Sequence, residues 1–124
     1  MVLSLPNATE VAPLIRIIRG QRVIIDSDLA RLYGVSTSHL NQQTRRNQRR
    51  FPLDFVFALT KKETILMMSQ FVTSSKKRNF RKLPTAYTEH GAVMAANVLN
   101  SNRAVTMSVE VVRAFIKLRR AINA

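Results

Sequence analysis

The stretch from Ser27 to Pro52, SDLARLYGVSTSHLNQQTRRNQRRFP, constrains the chain most, because it sets two helix starts, one glycine stop and a run of arginines close together. Ser27 is placed to cap a helix. Its side-chain oxygen can accept from an orphaned backbone N–H, and Asp28 then puts negative charge where the helix dipole favours it. Leu29, Leu32 and Tyr33 follow at i, i+3 and i+4 as one apolar stripe, and Gly34 supplies the left-handed residue at which a helix ends cheaply. Val35 is apolar in the turn, and Ser36 or Thr37 caps a second helix. Leu40, Thr44, Asn47 and Phe51 then fall along its inward side until Pro52 stops it.

At about 100° per residue, Ser38, Gln42, Arg45 and Arg49 lie on the opposite side of that helix, with Arg46 beside them. A helix-turn-helix needs a small residue where its helices cross, a glycine turn and apolar residues at fixed offsets, and Leu29, Ala30, Tyr33, Gly34, Val35 and Leu40 meet that need. Hydroxyl, amide and guanidinium groups on the outward face are the ones that read base edges and hold phosphates. The plainer reading is a helical hairpin with a solvated basic face.

Charge weighs against the plainer reading. Lys and Arg number 20 against 7 Asp and Glu, a formal net charge of +13 over 124 residues. Such a surface repels itself unless a polyanion neutralises it, and nucleic acid is the polyanion to expect. The chain lacks cysteine, which removes disulfides, thiolate nucleophiles and cysteine-based zinc sites. It has no apolar run near the roughly 20 residues that span a bilayer and no leader-like start, so the expectation is a cytoplasmic protein without a membrane partner.

The remaining segments predict a single α+β domain over residues 13–122, preceded by a loosely held lead-in, residues 1–12. LIRIIRGQRVIID reads as a hairpin turning at Gly20-Gln21 in a type II′ geometry, with Arg16, Arg19 and Arg22 on it. FVFALT, Phe55 to Thr60, is apolar on both faces and reads as a strand buried on two sides. Thr60 and Glu63 form a capping box for a helix whose methionines read as core filler.

Thr73 to Leu83 is polar and cationic. Lys76, Lys77, Arg78, Arg81 and Lys82 surround Phe80 there, which suits phosphate contact, with Phe80 either anchoring the segment or stacking on a base. Pro84 to Tyr87 is a short extended run. Thr88 then caps an alanine-rich helix that Asn100 closes, and Ser101 caps the last helix. In that helix Val105, Val109, Val112 and Ile116, with Val111, Phe115 and Leu118 beside them, predict a broad inward face, and Arg113, Lys117 and Arg120 a basic stripe. The fold expected is thus a small β-hairpin and sheet packed with a helix-turn-helix-like pair and C-terminal helices.

The segments IRGQRVIIDSDLARLYGV, LNQQTRRNQRRFPLDFVFALT, QFVTSS, YTEHGAVMAANVL and VVRAFIKLR, in this order and spacing, resemble the KilA-N-like DNA-binding domain of phage and prophage proteins. The resemblance is to the branch named after an open reading frame whose N-terminal half carries it. It implies a compact α+β DNA-binding module of the kind fused to other domains in phage antirepressors and regulators, with Asp28 to Phe51 as the helix-turn-helix-like segment. The stretch after QFVTSS is longer and more basic than the glycine-bearing form associated with that family.

Together these readings predict a double-stranded DNA binder in which Gln42, Arg45 and Arg49 face bases, Ser38 contacts the nucleic acid beside them, and Arg46, Lys76, Lys77, Arg78, Arg81 and Lys82 hold phosphates. RNA shares the phosphate chemistry. A monomeric reader of this size binds modestly, so a homodimer, a further C-terminal domain or a repressor protein docked on the last helix are the partners to expect. An enzyme is not expected, and no cofactor or metal either. Two-metal nuclease chemistry needs clustered carboxylates, and the seven here are scattered; Glu89 and His90 are the one acid-base neighbour pair and read as a first-turn helix charge and a packing residue. His39 reads as a helix-surface residue.

Overall fold

A computed structural model describes residues 4–69 and 82–123, and the fold is α+β. Strands β1 (Arg16–Ile18), β2 (Gln21–Ile25), β3 (Val56–Ala58) and β4 (Thr85–Tyr87) form one sheet in the order β1-β2-β4-β3, every neighbouring pair antiparallel. Successive side chains point to opposite faces of a strand. Ile24, Val56 and Tyr87 therefore enter the main core, while Val23, Ile25, Phe57 and Ala86 join Leu59 and Met67 in a second cluster behind the sheet. Both faces are covered, which is why FVFALT is apolar at successive positions. Met67 comes from α4 (Lys61–Ser69), opened by the expected capping box: Thr60 N–H donates to Glu63 Oε1 (2.8 Å) and Glu63 N–H to Thr60 Oγ1 (3.1 Å).

The hairpin turns one residue earlier than expected. Ile18 pairs with Gln21, so Arg19 and Gly20 are the loop, at φ 56 and 72. Positive φ at both positions is the type I′ geometry, whose twist matches that of the flanking strands. Arg19 is held in this conformation from outside. Its guanidinium donates to both Glu63 oxygens (2.7 and 2.9 Å) and to the Ala58 carbonyl (3.1 Å), and it lies 4.4 Å from the Phe57 ring centroid. Arg19 thus bolts the hairpin to α4.

Residues 7–12 are ordered where a loose lead-in is expected. Asn7 and Glu10 form a reciprocal capping box on α1 (Ala8–Val11), a 3-10 turn follows over Ala12–Leu14, and Val11 is fully buried. α1 lies on α6 (Asn102–Asn123), where Glu110 accepts from Ala8 N–H (3.1 Å) and Lys117 donates to Thr9 Oγ1 (3.0 Å).

α5 (Glu89–Leu99) begins at Thr88, whose hydroxyl accepts from Gly91 N–H, and ends at Asn100 in a left-handed conformation. Gly91 is required, since a Cβ there would sit 2.2 Å from the Phe55 carbonyl oxygen. Ser101 caps α6 by accepting from Ala104 N–H at 3.1 Å.

The face of α6 that enters the core differs from the one expected. Ala104, Met107, Val111, Ala114 and Phe115 are buried, while Val105 and Val109 are 50% and 47% exposed and Val112 and Ile116 are only half-buried. The helix carries two apolar stripes, and the one with small residues wins because alanines let it approach the alanine-rich α5 closely. Among the described residues no helix is long and apolar enough to cross a membrane.

Candidate nucleic-acid interface

Strand β2 runs straight into α2 (Asp26–Tyr33), so the helix opens one residue before the expected cap at Ser27, with Asp26 in its first turn. The Asp26 carboxylate is buried and fully engaged. Oδ1 accepts from Ser27 N–H (2.8 Å), and Oδ2 accepts from Asn41 Nδ2 (2.8 Å) and Thr85 N–H (3.1 Å). One charged group therefore joins α2, α3 (Thr37–Arg46) and β4.

α2 ends at Gly34, φ 74. Val35 N–H returns to the Ala30 carbonyl (3.0 Å) and Gly34 N–H to that of Arg31 (3.3 Å), a Schellman closure. A second cap comes from α6, whose Arg103 donates to the carbonyls of Leu32 and Arg31, both at 3.1 Å. The Arg103 side chain lies so near the turn that a Cβ on Gly34 would come 2.7 Å from its Cδ. Tyr33 leaves the same helix inward, its hydroxyl donating to the Ala92 carbonyl at 2.7 Å, and burial pushes its ionisation well above the ordinary tyrosine value.

Ser36 caps α3 by accepting from His39 N–H (3.0 Å), and Leu40 anchors the inward face in full burial. Beside Leu40 runs a polar chain. Tyr87 donates to Asn41 Oδ1 (3.0 Å), lies 2.6 Å from Thr44 Oγ1, and through the Asn41 amide connects to Asp26. Burial pushes the Tyr87 hydroxyl up to about 12, so it stays a neutral donor at physiological pH. A hydrogen bond to a charged partner contributes about 1.5–3 kcal/mol and a neutral one about 1. The chain fixes the roll of α3 on the sheet.

The helix stops at Arg46, not at Pro52. Asn47 leaves helical geometry at φ -121, its side chain donating to the Gln43 carbonyl (2.8 Å), and Gln48–Arg50 form a 3-10 turn. The tighter turn brings Phe51 edge-on to Tyr87, centroids 6.5 Å apart. Arg49 consequently belongs to this turn and not to the helical face that carries Ser38, Gln42 and Arg45.

Ser38, Arg45 and Arg46 are exposed on α3 and Gln42 is half-buried, while Arg49 is exposed beyond it. Lys82 is exposed across a groove of about 430 Å³, and Ser38, Asn41 and Arg45 line its other side. Lys76, Lys77, Arg78, Phe80 and Arg81 lie outside the described residues. The ion pairs found among the described residues use Arg19, Arg31, Arg113 and Arg119, so Arg45, Arg46, Arg49 and Lys82 have no carboxylate within 4.0 Å there. Cations left open on one side are what a phosphate backbone needs.

The acid-base neighbours are both occupied. Glu89 pairs with Arg119 of α6, and His90 stacks on Phe55 with centroids 5.5 Å apart. Among the described residues no three His, Asp or Glu side chains come together as a metal site. The Asp26–Asn41–Tyr87–Thr44 chain is the part that sequence reading missed. Its members are far apart in the chain and follow no period, so no local signal marks them.

A family model described as the ORF6N domain matches residues 14–98, a span that holds the whole sheet, α2 to α4, all but the last residue of α5, and the exposed face of α3. No curated protein and no solved structure shows a significant match.

Proposed function

Because the chain belongs to the ORF6N domain family, a phage-associated family, we propose that it is the DNA-binding domain of a phage- or prophage-type transcriptional regulator or antirepressor. In this reading α2 and α3 act as a helix-turn-helix-like pair on double-stranded DNA, in the cytoplasm and without catalysis. The observation that carries it is the outward face of α3: Ser38, Gln42, Arg45 and Arg46 turn outward on a helix braced from behind by Asp26, Asn41 and Tyr87. A rigid support under adaptable polar side chains is what base reading requires, because discrimination depends on held geometry.

The test is fluorescence-anisotropy titration of labelled duplex DNA, single-stranded DNA and duplex RNA across a salt series. Duplex DNA binding with a steep loss of affinity in salt is expected. Negligible binding to all three would end the reading.

One observation favours a second reading, an antirepressor that docks a repressor protein. Val105 and Val109 stand exposed on α6 on the side away from the core. Binding of a repressor that survives loss of Arg45 and Arg46 and disappears in Val109→Glu would favour it.

A further inference from the structure

The positions around α3 do not all face the same surroundings. Gln42 stands two residues from Leu40 and two from Thr44, so at about 100° per residue it points about 160° away from both inward anchors. It is the centre of the outward face. Arg45 is turned about 60° to one side of Gln42 and Arg46 about 40° to the other. A helix with its side chains is about 10–12 Å across and the major groove about 12 Å wide, so a helix seated there meets bases along its centre line and the two strands along its flanks.

Arg45's flank is concave. Across the groove from Ser38 and Arg45 stand Lys82, Leu83 and Pro84, where the chain enters β4. Leu83 is exposed, and neither cation has a carboxylate within 4.0 Å among the described residues. Asp26 also lines the groove, at the end where its oxygens are met by Ser27 N–H, Asn41 Nδ2 and Thr85 N–H. The walls thus offer two open cations, a hydroxyl and an exposed apolar side chain, and a nucleic-acid strand presents the complement, anionic phosphates alternating with less polar sugars.

We infer that this groove cradles one backbone strand of the duplex, with Arg45 and Lys82 clasping its phosphates from opposite walls and the exposed Leu83 against the sugars. Arg45 then holds the strand and does not read a base, with Ser38 beside it on the same wall, which leaves Gln42 on the centre line as the reader. The inference rests on the duplex-DNA reading above and is sharper than it, because it assigns different work to neighbouring side chains of one helix.

The experiment uses the full chain, with the duplex selected for tightest binding and an unrelated duplex of equal length, each titrated over a salt series. Circular dichroism confirms that each variant is folded. Arg45→Gln and Lys82→Gln are each expected to reduce the slope of log affinity against log salt by about one. Each should weaken both duplexes by the same factor, leaving the preference between them intact. Gln42→Ala is expected to do the reverse, collapsing the preference with the slope unchanged. If Arg45→Gln abolishes the preference while the slope holds, Arg45 is a base reader and the cradle is wrong. An unchanged slope in Lys82→Gln removes the second wall and overturns the inference while DNA binding stands. A wild-type chain that binds neither duplex refutes the DNA reading itself, and the cradle with it.

Discussion

Gly34 sits where two supports of the α2–α3 pair meet, and Gly34→Ala disturbs both. The residue holds φ 74, and a side chain in left-handed geometry costs about 1–2 kcal/mol. The new Cβ would also lie 2.7 Å from Arg103 Cδ and 3.0 Å from Nε. The flexible side chain must yield, and it loses its hydrogen bonds to the carbonyls of Leu32 and Arg31. Each is worth at the low end of about 0.5–1.5 kcal/mol, because Arg103 is exposed. Together the effects come to about 2–3 kcal/mol. With an unfolding entropy of about 2.1 cal/mol/K per residue, that lowers Tm by roughly 8–12 °C in a chain of 124 residues.

Urea unfolding of four proteins separates the terms: wild type, Gly34→Ala, Arg103→Ala and the double variant. Arg103→Ala alone should cost about 1 kcal/mol. In its background Gly34→Ala should cost only the backbone strain, so the cycle shows a coupling of about 1 kcal/mol. Additivity within about 0.3 kcal/mol would refute the idea that Arg103 and the glycine turn share one space.

Two further perturbations test the supports of the fold. Tyr87→Phe removes the donor to Asn41 Oδ1 and the partner of Thr44; it should destabilise by about 1–3 kcal/mol in urea, and a midpoint equal to wild type would show the polar chain to be dispensable. Arg19 and the Thr60 N–H hold the Glu63 carboxyl down to about 2 from an ordinary 4.5. The folded state therefore binds that proton less readily than the unfolded state, so this contribution is complete above about pH 4.5 and is lost as pH falls toward 2. Glu63→Gln should flatten that part of the stability–pH curve relative to wild type, and an unchanged curve would show that the pair does not govern it.

The helical pair was legible because its information is local. A glycine stop, a serine cap and the positions of Leu40 and Thr44 say where α3 begins and which side faces in. The capping box at Thr60 and Glu63 and the doubly apolar β3 were legible for the same reason. The hairpin turn slipped by one residue because Arg19 stands in a left-handed conformation with its guanidinium tied to Glu63, and Glu63 lies on another element. On α6 the pattern misled, since two apolar stripes compete and only the neighbouring alanines of α5 decide between them. The end of α3 was misplaced because Phe51 obeys Tyr87, a residue far along the chain. At the candidate site, periodicity placed Ser38, Gln42, Arg45 and Arg46 on one exposed helix but could not see Lys82 across the groove.

Arg103 has a consequence for where this domain can be cut. The family match spans residues 14–98, whereas Arg103, Met107, Val111 and Phe115 lie on α6 beyond it and Val11 lies before it. The matched span carries the outward chemistry, yet the Leu32 and Arg31 carbonyls that end its helix α2 accept from Arg103 of α6, and its core is missing one wall without α6. The recognisable unit and the cooperative unit differ in extent. A fragment trimmed to the recognisable one would retain every outward side chain of α3 and lose part of the scaffold behind them.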